Sequence, residues 1–157
     1  MDKGERISHF VSGLAGEDAS VSSNVPIERH PYYRAFFQCW NEQRYYEAHD
    51  VLEQVWLKRE SEDDDFFKGL IQAAGAFVHL QKNFNEPHHP KHAGRLRPAV
   101  RLFALAEKNL APFQPTRHAL DVPAVLNLLH QHRLRIIDSA YHVNPWSPEK
   151  APKLELK

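Results

Sequence analysis

A histidine and a glutamate four residues apart, His49 and Glu53, form the pair whose types and spacing point most directly to chemistry. On a helix, residues at this spacing lie side by side and can reach the same neighbouring group. On a wheel drawn at about 100° per residue, the pair is bracketed by large apolar side chains. A glutamate in such a place is unfavourable unless it is paired, hydrogen-bonded or bound to a metal.

A second polar set lies on the next predicted helix, which is otherwise almost entirely apolar. There Lys68, Gln72 and His79 form one narrow stripe, flanked by the small residues Gly69 and Gly75. Small residues beside the stripe would let another backbone approach closely. If the preceding helix packs antiparallel on that side, Gln72 and His79 face the first polar pair.

Two histidines, a carboxylate and a nearby amide form a donor set that a first-row divalent metal can use. We therefore predict His49, Glu53 and His79 as ligands of one divalent transition metal. The same groups also suit general acid–base catalysis, with the glutamate holding a histidine in one tautomer. The alternative without a ligand is a buried hydrogen-bond network that fixes helix packing, or a stripe that simply meets water. The spacing leaves these interpretations open.

The remaining reactive residues carry weaker signals. A proline-bounded loop contains His88, His89 and His92, which form a second potential metal cluster. We favour a surface feature that binds metal only adventitiously over a functional site. The single cysteine, Cys39, excludes an internal disulfide and a multi-cysteine zinc site. Motifs for a nucleophile elbow, a phosphate-binding glycine loop or a dinucleotide site are absent from the sequence.

Hydrophobic periodicity predicts the elements that must position these side chains. Helical spacing favours helices at about 31–41, 45–59, 63–83 and 96–110, and one that Asp121 caps and Pro123 opens. Alternation typical of strands is not found. We therefore predict an all-α, single-domain bundle of about five helices with short connections and no sheet. Residues 1–26 would form an N-terminal arm and linker, 27–142 the bundle, and 143–157 an extended, proline-containing tail.

Composition limits the partners that we expect. Twenty basic and twenty acidic residues cancel, so the net charge gives no reason to expect nucleic acid or an anionic membrane. Apolar runs stay short of the about 20 residues that cross a bilayer, and the N-terminus lacks the apolar core of a signal peptide. We expect a cytoplasmic protein. A small-molecule ligand, a protein partner or a homo-oligomer all stay open.

The polar segments resemble a known family. Residues 41–56 read NEQRYYEAHDVLEQVW, and LIQAAGAFVH follows at 70–79. Together with Asn83, they resemble the prokaryotic family known as domain of unknown function 309, over roughly residues 33–105. The resemblance implies a small multihelical bundle and no established activity. Two departures stand out: Gln43 and Arg44 replace the usual glycine turn, and the loop at 84–92 is longer than the family's compact turn.

The resemblance also marks signature positions. Carried over, the polar ones are Glu47, His49, Asp50, Glu53, Gln72 and His79, and the aromatic one is Trp56. Among them Glu47, Asp50 and Gln72 are candidates for catalytic roles, with Gln72 orienting a substrate. The rival hypothesis is a noncatalytic interaction module with exposed aromatics near Tyr32 and Tyr33. Whether the protein is an enzyme stays open. An open cavity beside the polar residues would favour a ligand site, whereas a sealed, fully hydrogen-bonded network would favour the interaction module.

Overall fold

The computed structural model describes residues 2–15, 25–58 and 61–157. These parts of the chain contain six helices: α1 Lys3–Ala15, α2 Pro31–Asn41, α3 Tyr45–Lys58, α4 Asp64–Asn85, α5 Leu96–Leu110 and α6 Val122–Asp138. Short 3-10 turns occupy Ile27–Arg29 and Ala111–Phe113. Two short strands, β1 Thr116–Arg117 and β2 Leu120–Asp121, pair antiparallel with Thr116 opposite Asp121. The linker expected at 16–24 and the helix end expected at residue 59 lie outside the described residues.

The predicted helical bundle is confirmed, with two corrections. The arm contains a full helix, α1, because Ile7 and Val11 lie one turn apart and are both buried. The prediction of no sheet is wrong, although the hairpin has only two residues in each strand. Its loop residues His118 and Ala119 have φ angles of 48° and 63°. Such loops favour Asn-Gly, so His-Ala gave no turn signal.

Helix α4 is the centre of the bundle, as its nearly continuous apolar sequence predicts. It makes its most extensive contacts with α5 on one side and α3 on the other. Aromatic rings join the layers: Phe77 of α4 lies 4.8 Å from Trp40, 5.4 Å from Tyr45 and 5.3 Å from Phe103, between ring centroids. This core fixes the orientation of α3, and with it the directions in which the polar side chains of α3 point.

The turn between α2 and α3 explains one departure from the family pattern. Gln43 has a φ of 61°, a left-handed conformation that glycine adopts without steric cost. Its carbonyl oxygen accepts a hydrogen bond from Gln81 Nε2 at 2.9 Å, and its own Nε2 donates to the Pro148 oxygen at 2.9 Å. These two bonds hold a non-glycine residue in the turn.

The proline-containing tail is extended, and bundle side chains hold it along its length. Asn41 donates to the Leu154 oxygen and accepts from the Leu154 nitrogen, both at 2.8 Å. Trp146 is buried and donates from Nε1 to Tyr45 Oη at 3.0 Å. The Lys157 nitrogen donates to the Ala119 oxygen, so the tail ends on the hairpin.

An acidic run at residues 62–65 surrounds the start of α4, and one of its members also makes a tertiary contact. Asp63 makes no capping hydrogen bond with its side chain. Its Oδ1 instead lies 3.0 Å from Arg117 Nη1 and its Oδ2 lies 2.9 Å from His118 Nε2. Asp63 therefore ties the hairpin to the start of α4.

Candidate metal and ligand site on α3

The middle of α3 gathers three side chains that can bind a cation. His49 Nδ1 lies 3.1 Å from Asp50 Oδ1 and 3.5 Å from Glu53 Oε2. The three side chains are 33%, 19% and 26% exposed, which leaves each partly open to solvent. One ligand atom from each lies within 4.8 Å of the others. We call His49, Asp50 and Glu53 the α3 triad.

Helix α1 brings a positive charge to the α3 triad. Lys3 Nζ lies 3.6 Å from Asp50 Oδ1 and 3.7 Å from Glu53 Oε1. Sequence reasoning missed Lys3, because it expected at most one or two helical turns in this arm, at residues 5–14, whereas α1 begins at Lys3. The available signal was the apolar spacing of Ile7 and Val11, which predicts a helix with one buried face.

An open cleft of about 450 Å³ lies between α1 and α3, beside the triad. From α1, Lys3 and Arg6 line it, and from α3, Glu47 and Asp50. Asp50 thus belongs to both the α3 triad and the cleft. The predicted catalytic candidates Glu47 and Asp50 therefore meet in one cavity, whereas Gln72 does not line it.

The structure places Gln72 and His79 against α5. Gln72 Oε1 accepts a hydrogen bond from Asn109 Nδ2 at 2.7 Å. Arg95 Nη1 lies 3.0 Å from His79 Nδ1. The expected convergence of His79 with His49 and Glu53 is wrong: among the described residues, the group that holds His49 and Glu53 takes Asp50 as its third member.

The small residues beside the polar stripe explain this placement. A close approach by another helix is confirmed, but the helix is α5. A Cβ added at Gly69 would lie 2.7 Å from Leu110 Cγ, and one at Gly75 would lie 3.2 Å from Leu102 Cδ1. Because α4 is apolar almost all round, the wheel could not distinguish the side that takes α5 from the side that takes α3.

The electrostatic surroundings of His79 also oppose a metal. Burial, followed by the charges of Arg95, Lys82 and Arg101, lowers the pKa of His79 to about 4. The neutral ring accepts a hydrogen bond from Arg95 at Nδ1, so its other nitrogen carries the ring's own proton. A cation placed here would meet three positive side chains.

The α4–α5 loop holds a second set of ligand types, formed by Glu86, His89 and His92. His88 is not part of this group. Arg95 Nε donates to His92 Nδ1 at 2.6 Å, and the Lys91 nitrogen donates to His89 Nδ1 at 3.0 Å. Both neutral rings then carry their proton on Nε2, the nitrogen that would otherwise bind a metal. Metal binding at these nitrogens would have to break both bonds.

The aromatics expected to meet a partner are instead in the core. Tyr32 is 7% exposed and Tyr33 is fully buried. The Tyr33 hydroxyl donates to the His118 oxygen at 3.0 Å, and burial raises the pKa of that hydroxyl. The signature aromatic Trp56 is partly buried and packs against the core. The expectation that these two aromatics are exposed is therefore wrong.

Comparisons with known proteins agree with the resemblance and add no activity. A search of curated proteins and a search of solved structures each found no match. Within the described parts of the chain, no helix has both the length and the apolar character needed to cross a membrane. Residues 33–87, which include the α3 triad, Gln72 and His79, match the family model described as domain of unknown function DUF309, and this confirms the resemblance over that segment.

Proposed function

We propose that the α3 triad binds one divalent transition metal, with His49, Asp50 and Glu53 as its ligands. The observation that carries the proposal is the spacing of the donor atoms. Ligands about 2.1 Å from an ion lie roughly 3.0 to 3.4 Å from one another in tetrahedral or octahedral geometry. The His49 nitrogen lies 3.1 and 3.5 Å from its two carboxylate neighbours, close to that spacing.

The donor types support the same conclusion. One imidazole nitrogen and two carboxylate oxygens suit zinc, manganese or iron, and three protein ligands leave positions for water or a substrate. Because Asp50 also lines the cleft, the open positions would be next to a cavity large enough for a small molecule. A metal there would supply a Lewis acid to a group bound in the cleft.

Lys3 is the competitor of the metal in this proposal. Its ammonium already lies near Asp50 and Glu53, and a divalent ion would have to displace it or share the carboxylates with it. Lys3→Ala should therefore raise metal affinity, whereas replacement of a ligand should lower it. The two opposite effects make the assignment testable at the level of single residues.

The experiment is a calorimetric titration of the untagged protein with zinc, manganese and iron(II). We expect about one ion per chain, binding abolished in His49→Ala and Glu53→Gln, and unchanged binding in His79→Ala. His89→Ala serves as the control for the loop cluster. Loss of binding in His89→Ala alone would assign the metal to the loop, and no binding by any variant would refute the proposal.

The two signature residues on α4, Gln72 and His79, support a noncatalytic role. Gln72 with Asn109, and His79 with Arg95, form closed side-chain pairs between α4 and α5. These two residues therefore hold α4 against α5. If the titrations show no metal, we infer that the α3 triad and Lys3 likewise serve packing between α1 and α3.

A further inference from the structure

We propose that the α1–α3 cleft binds a small zwitterion with an apolar side chain, of the α-amino acid class. The inference goes beyond the metal site and does not depend on it. It rests on the arrangement of charge and apolar surface in the cleft. The volume of about 450 Å³ falls in the range of small-molecule sites, roughly 300 to 1,000 Å³.

The two walls of the cleft carry opposite charges. Lys3 and Arg6 belong to α1, and Glu47 and Asp50 belong to α3. A molecule with a carboxylate and an ammonium on neighbouring atoms matches such walls, with its carboxylate toward α1 and its ammonium toward α3. A molecule with a single charge would satisfy one wall and leave the other unpaired.

Two of these four charged side chains, Arg6 and Glu47, are available for a ligand. The other two, Lys3 and Asp50, already pair with each other at 3.6 Å. By contrast, the side chains of Arg6 and Glu47 make no hydrogen bond or ion pair with any residue in 2–15, 25–58 or 61–157. Glu47 is also partly buried, where an unpaired carboxylate is unfavourable. A bound zwitterion would supply a partner to both.

The remaining lining fits the rest of such a ligand. Ile7 and Val51 are buried beneath the cleft, and the rings of Phe10 and Tyr46 border it. Tyr46 is 59% exposed, although it is a large ring on an otherwise well-packed helix. An apolar side chain of a ligand would cover part of this ring and remove apolar surface from water.

The test is calorimetry with L-leucine in buffer that contains a chelator, so that no metal takes part. Two single-charge analogues of similar shape, 4-methylpentanoate and 3-methylbutylamine, report on each wall separately. We expect L-leucine to bind and each analogue to bind at least about tenfold more weakly, since each loses a charged contact. Equal binding of L-leucine and either analogue would overturn the proposal, as would no binding of L-leucine.

Variants locate the site. Arg6→Gln and Glu47→Gln should each weaken L-leucine binding about tenfold without lowering the melting temperature, since both side chains are unpaired. Lys68→Gln and Glu62→Gln change exposed charges outside the cleft and should have no effect. Binding that survives both cleft variants would refute the assignment. Because the chelator removes metal, failure here leaves the metal titration unaffected, and failure of that titration leaves this result standing.

Discussion

His49 on α3 and His79 on α4 are both signature histidines, yet they lie in opposite surroundings. His49 has two carboxylates within 3.5 Å, and one of them, Asp50, lines an open cleft. His79 is bonded to Arg95 and surrounded by positive charge. The first setting attracts a cation, and the second stabilises a neutral ring. The same residue type is therefore suited to binding in one place and to packing in the other.

The neighbouring helices produce this difference. Helix α5 approaches α4 closely over Gly69 and Gly75, and Gln72 pairs there with Asn109 of α5. Helix α1 covers α3 less completely and leaves a cleft of about 450 Å³. We therefore assign the proposed binding function to α3 and a packing role to the signature residues at the α4–α5 interface.

The largest effect should come from filling the close α4–α5 approach. Gly69→Val would force its side chain against Leu110, and we expect the free energy of unfolding to fall by about 2 to 3 kcal/mol. Gly13→Val is the matched control, because among the described residues no atom outside its own stretch of helix lies within 4 Å of a Cβ at that position. Urea denaturation of both variants measures the difference. Similar small changes in both would show that α4 and α5 do not approach as closely as described.

The next effect is a pH dependence from His79. Its pKa is about 4 in the folded protein and 6.5 ordinarily, so the unfolded chain binds more protons between these values. Stability should therefore be lost as the pH falls from 6.5 toward 4, by on the order of 1 to 2 kcal/mol after allowance for solvent screening.

The control for this prediction is His79→Gln, which keeps an acceptor for Arg95 and cannot titrate. Subtracting its unfolding free energy from that of the wild type at each pH isolates the contribution of His79 from that of His132, whose pKa burial also lowers. An NMR titration of the His79 ring should give a midpoint near 4. A midpoint at the ordinary histidine value would contradict the described surroundings.

A smaller loss of stability should follow from replacing Gln72 at the α4–α5 interface. Gln72→Ala leaves Asn109 Nδ2 without its acceptor and should lower the free energy of unfolding by about 1 kcal/mol. In a double-mutant cycle with Asn109→Ala, the two losses should be less than additive. Additive losses would mean that the two amides do not interact, and Gln72 would again be available for a substrate.

The smallest effect should follow from His49→Ala. Its partners are partly exposed charges, and such pairs contribute less than about 1 kcal/mol. We expect an unfolding free energy within that margin of the wild type, together with the loss of metal binding. A destabilisation as large as that of Gly69→Val would indicate that the α3 triad serves packing, and would remove the contrast between the two histidines.

Much of this protein was predictable from the sequence. The periodicity of residues 31–41 and 96–110 matches α2 and α5, because those helices each bury one apolar stripe. The i to i+4 spacing brought His49 beside Glu53, since that contact is made within one helix. The family of residues 33–87 was likewise identified from the local motif.

Only the tertiary structure decided what lies opposite these residues. Lys3 and Asp50 are distant in sequence, and so are His79 and Arg95, and their contacts depend on how whole helices dock. Helix α4 is apolar on nearly every side, so a helical wheel could not predict whether α3 or α5 packs beside its polar stripe. The side chain of Leu110 over Gly69 shows that α5 took that place. The sequence thus determined each helix and its local pairs, while the packing of the helices determined which pairs could meet a ligand.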